Sequence, residues 1–251
     1  MVCALVLLTC IGLWRYRVTR VLTANEHPTF RLGTWNLRYF GDNETDEAIA
    51  DVADLIRQQS LDLVAVQELR GNGNAADRLA GELGGRWTAD VSEQTGNYER
   101  FAFVYNRRVV RRLGSVKLYE LSSIDRQPHA ARFQAGNFDF TLINVHLLAS
   151  DTDRRRQEAI ELANILRQDR WPRGERDVIV LGDFNTRRPR GPTLSAFASA
   201  GFDAATQFDA LDYILLRRSD RLQNTDIAPA GDLSDHDLVW SAFDTTSPDD
   251  D

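Results

Sequence analysis

Residues 178–185, Val-Ile-Val-Leu-Gly-Asp-Phe-Asn, constrain the fold of this chain more than any other segment. Four consecutive aliphatic residues predict a buried strand. We expect the strand to end at Gly182, so that an acid and an amide, Asp183 and Asn185, follow at its tip. Taken alone, the pattern also fits an Asp-Asn turn that closes a core strand. However, α/β folds place ligands at the carboxyl edge of a sheet, and hard cations such as Mg²⁺ prefer oxygen donors of this kind.

Four other apolar segments carry polar residues at one end. They are residues 30–36 ending at Asn36, residues 61–68 ending at Glu68, residues 138–146 ending at His146, and residues 238–240 preceded by Asp235 and His236. Any one of these residues also fits a hydrogen-bonded polar cap. Several apolar strands that each end in Asn, Glu, His or Asp predict a shared polar site at one edge of the sheets.

Two segments have the i, i+3, i+4, i+7 spacing of amphipathic helices. Their apolar positions are Ile49, Val52, Ala53 and Ile56 in the first and Ala159, Leu162, Ala163 and Leu166 in the second. Helices of this kind alternating with apolar strands indicate the α/β class and exclude all-α and all-β folds. With 251 residues, 43% of them hydrophobic, the chain can bury the core of a single domain.

The polar strand ends belong to six short motifs, which occur in a characteristic order. They are Trp35-Asn36, Gln67-Glu68, Asn144-Val145-His146, Gly182-Asp183-Phe184-Asn185, Leu211-Asp212-Tyr213 and Ser234-Asp235-His236. Over roughly residues 30–243 the chain resembles the endonuclease/exonuclease/phosphatase superfamily, which includes deoxyribonuclease I and the exonuclease III type of abasic-site nuclease. The resemblance implies an α/β fold, a four-layer sandwich of two mixed β-sheets flanked by helices.

The same resemblance implies a role for each of seven residues. Asn36 and Glu68 would lie at the metal with Glu68 as the main ligand, Asp183 and Asn185 would align water and phosphate, Asp212 would pair with His236, and Asp235 would lie at the metal or the phosphate.

Three further residues occur in motifs that resemble those of the deoxyribonuclease I branch. That branch pairs two histidines with carboxylates across the scissile phosphate. His146 with Glu99 would form the second pair, and Arg126, in Arg126-Gln127-Pro128, would face the phosphate. The spacing from the aromatic Tyr98 to Glu99 is one residue shorter than the family has. Glu99 therefore also fits a solvated acid at the start of a strand.

These residue types suit the hydrolysis of a phosphodiester by activated water. A divalent cation neutralises phosphate charge, and either Asp183 or His236 would take the proton of the water. We expect Mg²⁺, with Mn²⁺ or Ca²⁺ as alternatives. A covalent mechanism is disfavoured, because Gly-x-Ser-x-Gly is absent and both cysteines lie in the first ten residues. The sequence therefore predicts a metal-dependent nuclease with endonuclease or exonuclease action.

Two other functions stay open. Residues 182–187 resemble the Gly-Asp-x-Asn-x-Arg motif of inositol phosphatases, so a phosphatase or phosphodiesterase acting on inositol or lipid phosphates is the alternative. The later Pro-x-Trp-Cys-Asp-Arg element of that group is absent, and Leu211-Asp212-Tyr213 takes its place. An inactive binding module would be expected to have lost Glu68, Asp183 or His236, and all three are present.

The charge distribution bears on which class of molecule the protein binds. A net charge of -7 is unusual for a nucleic-acid binder, although a metal in the site would offset part of it. Arg187, Arg188 and Arg190 follow Asn185 directly, and we expect Arg187 in particular to bind substrate phosphate. The clusters at 107–108, 111–112 and 154–156 are interpreted as solvated faces. The expected partner is nucleic acid, DNA rather than RNA, and the expected state is a monomer without an obligate protein partner.

The sequence divides into three parts. Residues 1–24 form a hydrophobic N-terminal segment, residues 25–245 the catalytic domain, and residues 246–251 an acidic tail expected to be disordered. The apolar run 2–14 is shorter than a membrane span of about 20 residues but suits a signal or an anchor. Arg15, Arg17 and Arg20 follow it, which opposes export. We expect an exported or membrane-tethered protein, with a cytoplasmic one as the alternative.

Overall fold

A computed structural model of the chain describes residues 20–116, 121–168, 175–206, 210–218 and 220–249. The described residues contain two six-stranded β-sheets and four α-helices. Most of the predicted N-terminal segment and the end of the acidic tail lie outside the described residues, so both assignments stay predictions.

The first sheet has the strand order β11-β12-β1-β2-β4-β3. Its strands are β1 (Thr29–Asn36), β2 (Leu63–Leu69), β3 (Trp87–Val91), β4 (Arg100–Asn106), β11 (Leu222–Ala228) and β12 (Leu238–Asp244). Strands β1 and β2 are parallel and the other pairs are antiparallel.

The second sheet has the order β5-β6-β7-β8-β10-β9. Its strands are β5 (Val110–Ser115), β6 (His129–Ala135), β7 (Phe138–His146), β8 (Val178–Asp183), β9 (Asp203–Ala204) and β10 (Asp212–Leu216). Only β7 and β8 are parallel among its described pairs. Both sheets are therefore mixed, as predicted.

Helices cover the outer face of each sheet. They are α1 (Asp46–Gln58), α2 (Asn74–Leu83), α3 (Thr152–Arg167) and α4 (Pro192–Ser199). The Thr45 hydroxyl caps α1 by accepting from the Ala48 amide, and the Asp151 carboxylate caps α3. The buried faces of α1 and α3 include the eight predicted apolar residues. None of the described helices is long and apolar enough to cross a membrane.

Three apolar clusters hold the layers together. The cluster between the sheets is rich in phenylalanine, including Phe30, Phe103 and Phe140. A second cluster packs α1 and α2 on the first sheet, and a third packs α3 and α4 on the second. The order helices, sheet, sheet, helices is the four-layer sandwich that the sequence predicted.

The strand directions bring the predicted polar residues to one edge. Because β1 runs parallel to β2 and β7 parallel to β8, their carboxyl ends meet there. His146 is the register partner of Asp183, and Asp212 begins β10 opposite Asp183. His236 lies just before β12, which is antiparallel to β1, so it reaches the same edge.

The predicted ends of β2 and β8 were each one residue short, and β2 continues past Glu68 to Leu69. Strand β8 does not end at Gly182 but continues to Asp183. Gly182 has φ +135, and a Cβ atom at this position would collide with the backbone carbonyl of Val145. Glycine is required here because β7 and β8 approach closely beside the site.

Candidate active site

Asp183 lies at the centre of the polar edge and is almost fully buried. Its Oδ2 atom lies 3.3 Å from Nε2 of His146, 3.7 Å from Nε2 of His236, and 3.1 Å from the donating Nδ2 of Asn36. Its Oδ1 atom accepts from the backbone N–H of Asn185 at 2.7 Å. Two histidines therefore face the same carboxylate oxygen from two sides.

His236 is held by a buried carboxylate. Its Nδ1 lies 2.6 Å from Oδ2 of Asp212, which leaves Nε2 directed at the site. The loop that carries His236 is fixed by the Trp35 indole N–H, which donates to the His236 carbonyl at 2.8 Å. The Ser234 hydroxyl also binds the backbone carbonyl of Asn36 at 2.6 Å. Asp212 and His236 thus form the carboxylate–histidine pair that the resemblance implies.

His146 is held in the same way on the other side. Its Nδ1 lies 2.9 Å from Oε2 of Glu99, which is buried rather than solvated. Arg126 contacts both members of this pair, at 3.4 Å to Glu99 Oε1 and 3.0 Å to His146 Nε2. The shorter aromatic spacing does not displace Glu99, whereas Tyr98 next to it is 77% exposed.

Two residues that the sequence analysis did not predict fix Glu99. Asn97 donates to Glu99 Oε1 at 2.7 Å, and Arg70 donates to the same oxygen at 3.3 Å and also to the Asn97 carbonyl. Asn97 adopts φ +60, which turns its side chain back toward Glu99. Arg70 lies directly after β2, beyond the irregular backbone at Glu68, so no strand period pointed to it.

Glu68 lies on an irregular part of β2. The register with β4 shifts between Val66 and Leu69, and Glu68 has φ +60. A bulge of this kind redirects a side chain, and left-handed backbone at a non-glycine residue is a mark of functional sites. Glu68 Oε1 accepts from Asn36 Nδ2 at 2.9 Å and Oε2 accepts from the Tyr39 amide at 3.2 Å. The bulge therefore places the Glu68 carboxylate beside Asn36 and Asp183.

The charges around the two histidines shift several pKa values. Burial alone would lower the pKa of His236, but the hydrogen bond to Asp212 and the negative charges of Asp212 and Asp183 raise it to about 9. Burial, together with the charge of Asp183, raises the pKa of Asp212. Burial alone would also raise the pKa of Glu99, but the hydrogen bond to His146 and the charges of His146 and Arg126 lower it. His236 is thus stabilised in its protonated form.

Two groups of side chains offer oxygen and nitrogen ligands to a cation. They are Glu68, Glu99 and His146, and Asp183, Asp212 and His236, with the ligand atoms of each group within 4.8 Å of one another. Among the described residues His146 Nε2 lies 3.9 Å from Glu68 Oε1, and Asp212 Oδ1 has no hydrogen-bond partner. The carboxylates of these two groups fit a divalent cation, since carboxylate oxygen is the donor that such ions prefer.

Asn36 and Asn185 have structural contacts that qualify their predicted roles. Asn36 directs its amide nitrogen at Glu68 and Asp183, and its Oδ1 accepts from the Arg38 amide at 2.9 Å. It bridges two carboxylates, so acting as a metal ligand requires the amide to turn. Asn185, at φ +50, donates one amide N–H to the Leu147 carbonyl at 2.9 Å. Among the described residues its second amide N–H has no partner and can donate to an anion.

Two predicted residues lie at the rim rather than in this cluster. Asp235 is exposed, and its carboxylate lies 3.7 Å from Nε of Arg38. Arg187 is exposed on the loop after β8. Neither belongs to the two ligand groups above, so their roles at metal or phosphate stay predictions.

Gln67 and Asn144 form a polar connection beneath the site. Gln67 of β2 donates to Asn144 Oδ1 of β7 at 2.7 Å, and Asn144 donates to the Val66 carbonyl at 3.0 Å. Both side chains are fully buried. The contact joins the two sheets directly below Glu68 and His146.

A four-layer sandwich of two mixed sheets, with two carboxylate–histidine pairs at one edge, defines the deoxyribonuclease I-like class of fold. The chain belongs to the Endonuclease/Exonuclease/phosphatase family, which matches residues 33–236. Members of this family are hydrolases that act on phosphoester bonds, and they typically depend on divalent metal ions.

Comparison with individual proteins supports the same family. The mouse Endonuclease/exonuclease/phosphatase family domain-containing protein 1 is 26% identical over 226 residues, 76% of this chain and 36% of its own length. This chain thus spans about a third of the length of that relative.

Solved structures of other proteins share the fold. D. rerio TDP2 complexed with single strand DNA product superposes with a TM-score of 0.66 at 15% identity, over 86% of this chain and 99% of that one. The mannosyl-6-phosphatase of Bacteroides thetaiotaomicron VPI-5482 gives 0.64 at 14% identity, over 84% and 98%. At these identities the similarity establishes the fold and leaves the substrate open.

Proposed function

We propose that the protein is a divalent-metal-dependent phosphodiesterase that cleaves the backbone of nucleic acid, DNA rather than RNA, with water as the nucleophile. The observation that carries the proposal is the arrangement around Asp183. Two histidines, each held by its own buried carboxylate, face one oxygen of this residue. This arrangement lets each histidine contact a different oxygen of one phosphate, whose negative charge is shared among several oxygens.

Each pair would act on one side of the phosphate. His236 holds its proton because Asp212 and Asp183 stabilise the imidazolium, so we assign it to stabilise phosphate charge through Nε2. His146 is oriented by Glu99, and its Nε2 lies 3.3 Å from the same Asp183 oxygen, so we assign it to the other side of the phosphate. Arg126 lies against His146 and would contact a phosphate oxygen, as would Arg187 from the rim.

Proton removal from the attacking water falls to Asp183 in this proposal. The raised pKa of His236 makes it a donor near neutral pH, whereas the carboxylate of Asp183 lies between both histidines and can accept. The second N–H of Asn185 would orient the phosphate. Glu68, Asn36 and Asp235 would hold a divalent ion, which, when bound, neutralises charge on the phosphate and the leaving oxygen.

A comparison of substrates tests the proposal. The full chain is incubated with plasmid DNA, RNA and phosphoinositides, each with Mg²⁺, Mn²⁺, Ca²⁺ or EDTA. We expect cleavage of DNA with Mg²⁺ or Mn²⁺ and none in EDTA. DNA cleavage in EDTA at the same rate would contradict metal dependence, and failure to cleave either nucleic acid would contradict the substrate class.

A phosphatase acting on inositol or lipid phosphates is the second candidate. Its support is the sequence from Gly182 to Arg187, which places an arginine two residues after Asn185 as inositol phosphatases do. Release of inorganic phosphate from phosphoinositides, without nucleic-acid cleavage, would favour this candidate.

A further inference from the structure

Two connected concavities beside the site are lined by arginine and by no carboxylate of the described residues. The first, of about 280 Å³, lies between α3 and α4 and includes Arg156 and Arg167. The second, of about 730 Å³, is formed by residues 187–192 and includes Arg187, Arg188 and Arg190. Pro192 borders both, so they form one surface, which we refer to as the basic groove. The basic groove carries five arginines in a chain of net charge -7.

The basic groove starts next to the site. Strand β7 leads into α3 and β8 leads into α4, so both helices begin at the edge that carries His146 and Asp183. The Asn185 side-chain amide donates to the Leu147 carbonyl at 2.9 Å. This hydrogen bond joins the loop between β7 and α3 to the loop between β8 and α4. A bound strand that leaves the site over Asn185 therefore meets the arginines of residues 187–190 first and the part of the groove between α3 and α4 next.

The arginines on α3 differ in what they contact. Arg155, predicted to be solvated, is buried and donates to the Leu148 and Ala149 carbonyls, which fixes the loop after β7. Arg154 is exposed and lies 3.8 Å from the Asp125 carboxylate. Arg156 is exposed and faces the groove. Arg167, one end of the groove, is also exposed and donates to Asn164 at 2.5 Å.

The dimensions and chemistry of the groove suit a polyanionic strand. Arg156 and Arg167 are eleven residues apart on one helix, which at 1.5 Å per residue is about 16 Å. A helical nucleic-acid strand carries a phosphate every 3.4 Å, so this length matches about five phosphates. The polar groups between the arginines, Ser195, Ser199 and Asn164, add neutral hydrogen-bonding partners for phosphate oxygens.

We propose that the basic groove binds the nucleic-acid strand on one side of the scissile phosphate, and this inference rests on the proposed nuclease function. A membrane surface is disfavoured. Membrane-binding faces combine cations with exposed apolar side chains, whereas the exposed large apolar residues of the described chain, Tyr39, Tyr98 and Leu113, lie outside the groove.

The test uses Arg156→Ala/Arg167→Ala in the full chain, with Arg86→Ala/Arg111→Ala as a control that removes two exposed arginines elsewhere. Affinity for single-stranded DNA of 4 and 16 nucleotides is measured in EDTA across salt concentrations. For the 16-mer we expect the groove variant to lose affinity and its log–log salt slope to flatten by about 1.4, two contacts at about 0.7 each. The 4-mer should lose much less affinity, and the control should keep the wild-type slope.

Further arms separate the alternatives. Arg156→Lys/Arg167→Lys keeps the charge and should restore the salt slope, which excludes a folding defect as the cause. Equal slopes and equal 16-mer to 4-mer affinity ratios in the groove variant and wild type would overturn the inference. So would a loss confined to binding of phosphatidylglycerol vesicles, which would indicate a membrane surface.

The nuclease proposal and the groove fail in different ways. Mg²⁺-dependent cleavage of the 16-mer by wild type, with unchanged binding by the groove variant, overturns the groove alone. Arginine-dependent binding that grows with strand length, without any cleavage, supports the groove as a nucleic-acid surface and contradicts the nuclease proposal.

Discussion

Glu68 shows how one residue is placed for chemistry at a cost to the backbone. A non-glycine residue at φ +60 within a strand is disfavoured by about 1–3 kcal/mol. The surrounding contacts keep it there, since Asn36 and the Tyr39 amide each bind one carboxylate oxygen. This strain is consistent with a carboxylate that must point at the site rather than along the strand.

Replacement of this carboxylate tests metal binding. We expect Glu68→Gln to reduce the hydrolysis rate by at least about 10³-fold, because Gln keeps the volume but removes charge worth several kcal/mol in the transition state. Mg²⁺ affinity, measured by calorimetry, should fall while the melting temperature changes little. Glu47→Gln, on the exposed side of α1, is the matched control. Wild-type activity of Glu68→Gln would exclude Glu68 as the principal ligand.

The Asp212–His236 pair gives a second prediction at this scale. We expect His236→Ala and Asp212→Asn each to lower the rate by about 10²–10⁴, since Asp212 orients the imidazole and stabilises its proton. Residues that act as one unit are not additive, so the double variant should be little slower than His236→Ala. Steady-state kinetics of the three variants measure this, and fully multiplicative losses would show that the two act independently.

The sequence predicted the centre of the site better than its supports. Strand ends identify Asn36, His146 and Asp183, because the period of a strand and its direction determine where the last residue lies. Glu99 came from family resemblance. Arg70 and Asn97 act through Glu99 from other parts of the chain, and a spacing of 29 residues between Arg70 and Glu99 carries no periodic signal.

At the scale of elements, the starts of β1 and β2 are joined by a titratable pair. Nε2 of His27 lies 3.0 Å from Oδ2 of Asp62, and the same oxygen accepts from the Arg31 amide at 2.9 Å. The hydrogen bond to Asp62 raises the pKa of His27, against a smaller opposing effect of burial. The protonated imidazole therefore favours the folded state.

The sign of this effect sets a pH window. A histidine pKa that is higher in the folded state adds stability below the unfolded pKa of about 6.5, and this is lost as pH rises through the folded value. We expect His27→Gln to destabilise more at pH 5.5 than at pH 8.5, by less than about 1 kcal/mol because the pair is partly exposed. Urea unfolding of wild type and His27→Gln at both pH values measures the difference between their free energies of unfolding. The other titrating groups are common to both proteins, so their contributions cancel in this difference. An equal difference at the two pH values would contradict the prediction.

Elements with a regular apolar period were predictable and the others were not. Helices α1 and α3 show the helical period, and their buried faces are the predicted ones. Helix α4 has eight residues, Pro-Thr-Leu-Ser-Ala-Phe-Ala-Ser, and none of them is charged, so its sequence is too short and too weakly polar to define a period. The end of β8 was misplaced because glycine normally marks a turn, whereas Gly182 here permits close contact with β7.

At the scale of the whole molecule, the active site depends on how the two sheets meet. Glu68 and Asn36 come from one sheet, and His146 and Asp183 from the other. Most of the interface between the sheets is apolar and does not specify one alignment. The Gln67–Asn144 contact is directional, and we infer that it fixes the relative position of the two halves of the site.

This contact gives a prediction about stability. Asn144→Leu removes the acceptor of Gln67 Nε2 and the donor to the Val66 carbonyl, leaving buried polar groups without these partners. We expect it to destabilise the fold by about 1–3 kcal/mol. Gln67→Leu should cost a similar amount, because Gln67 Nε2 donates to Thr34 Oγ1 at 3.0 Å and to Asn144 Oδ1 at 2.7 Å, and both acceptors lose this donor. When both side chains are replaced by leucine, the loss should be smaller than the sum of the single losses, since neither leaves the other unpaired. Urea denaturation of the four proteins measures the coupling, and strictly additive losses would show that the sheets are aligned by their apolar interface alone.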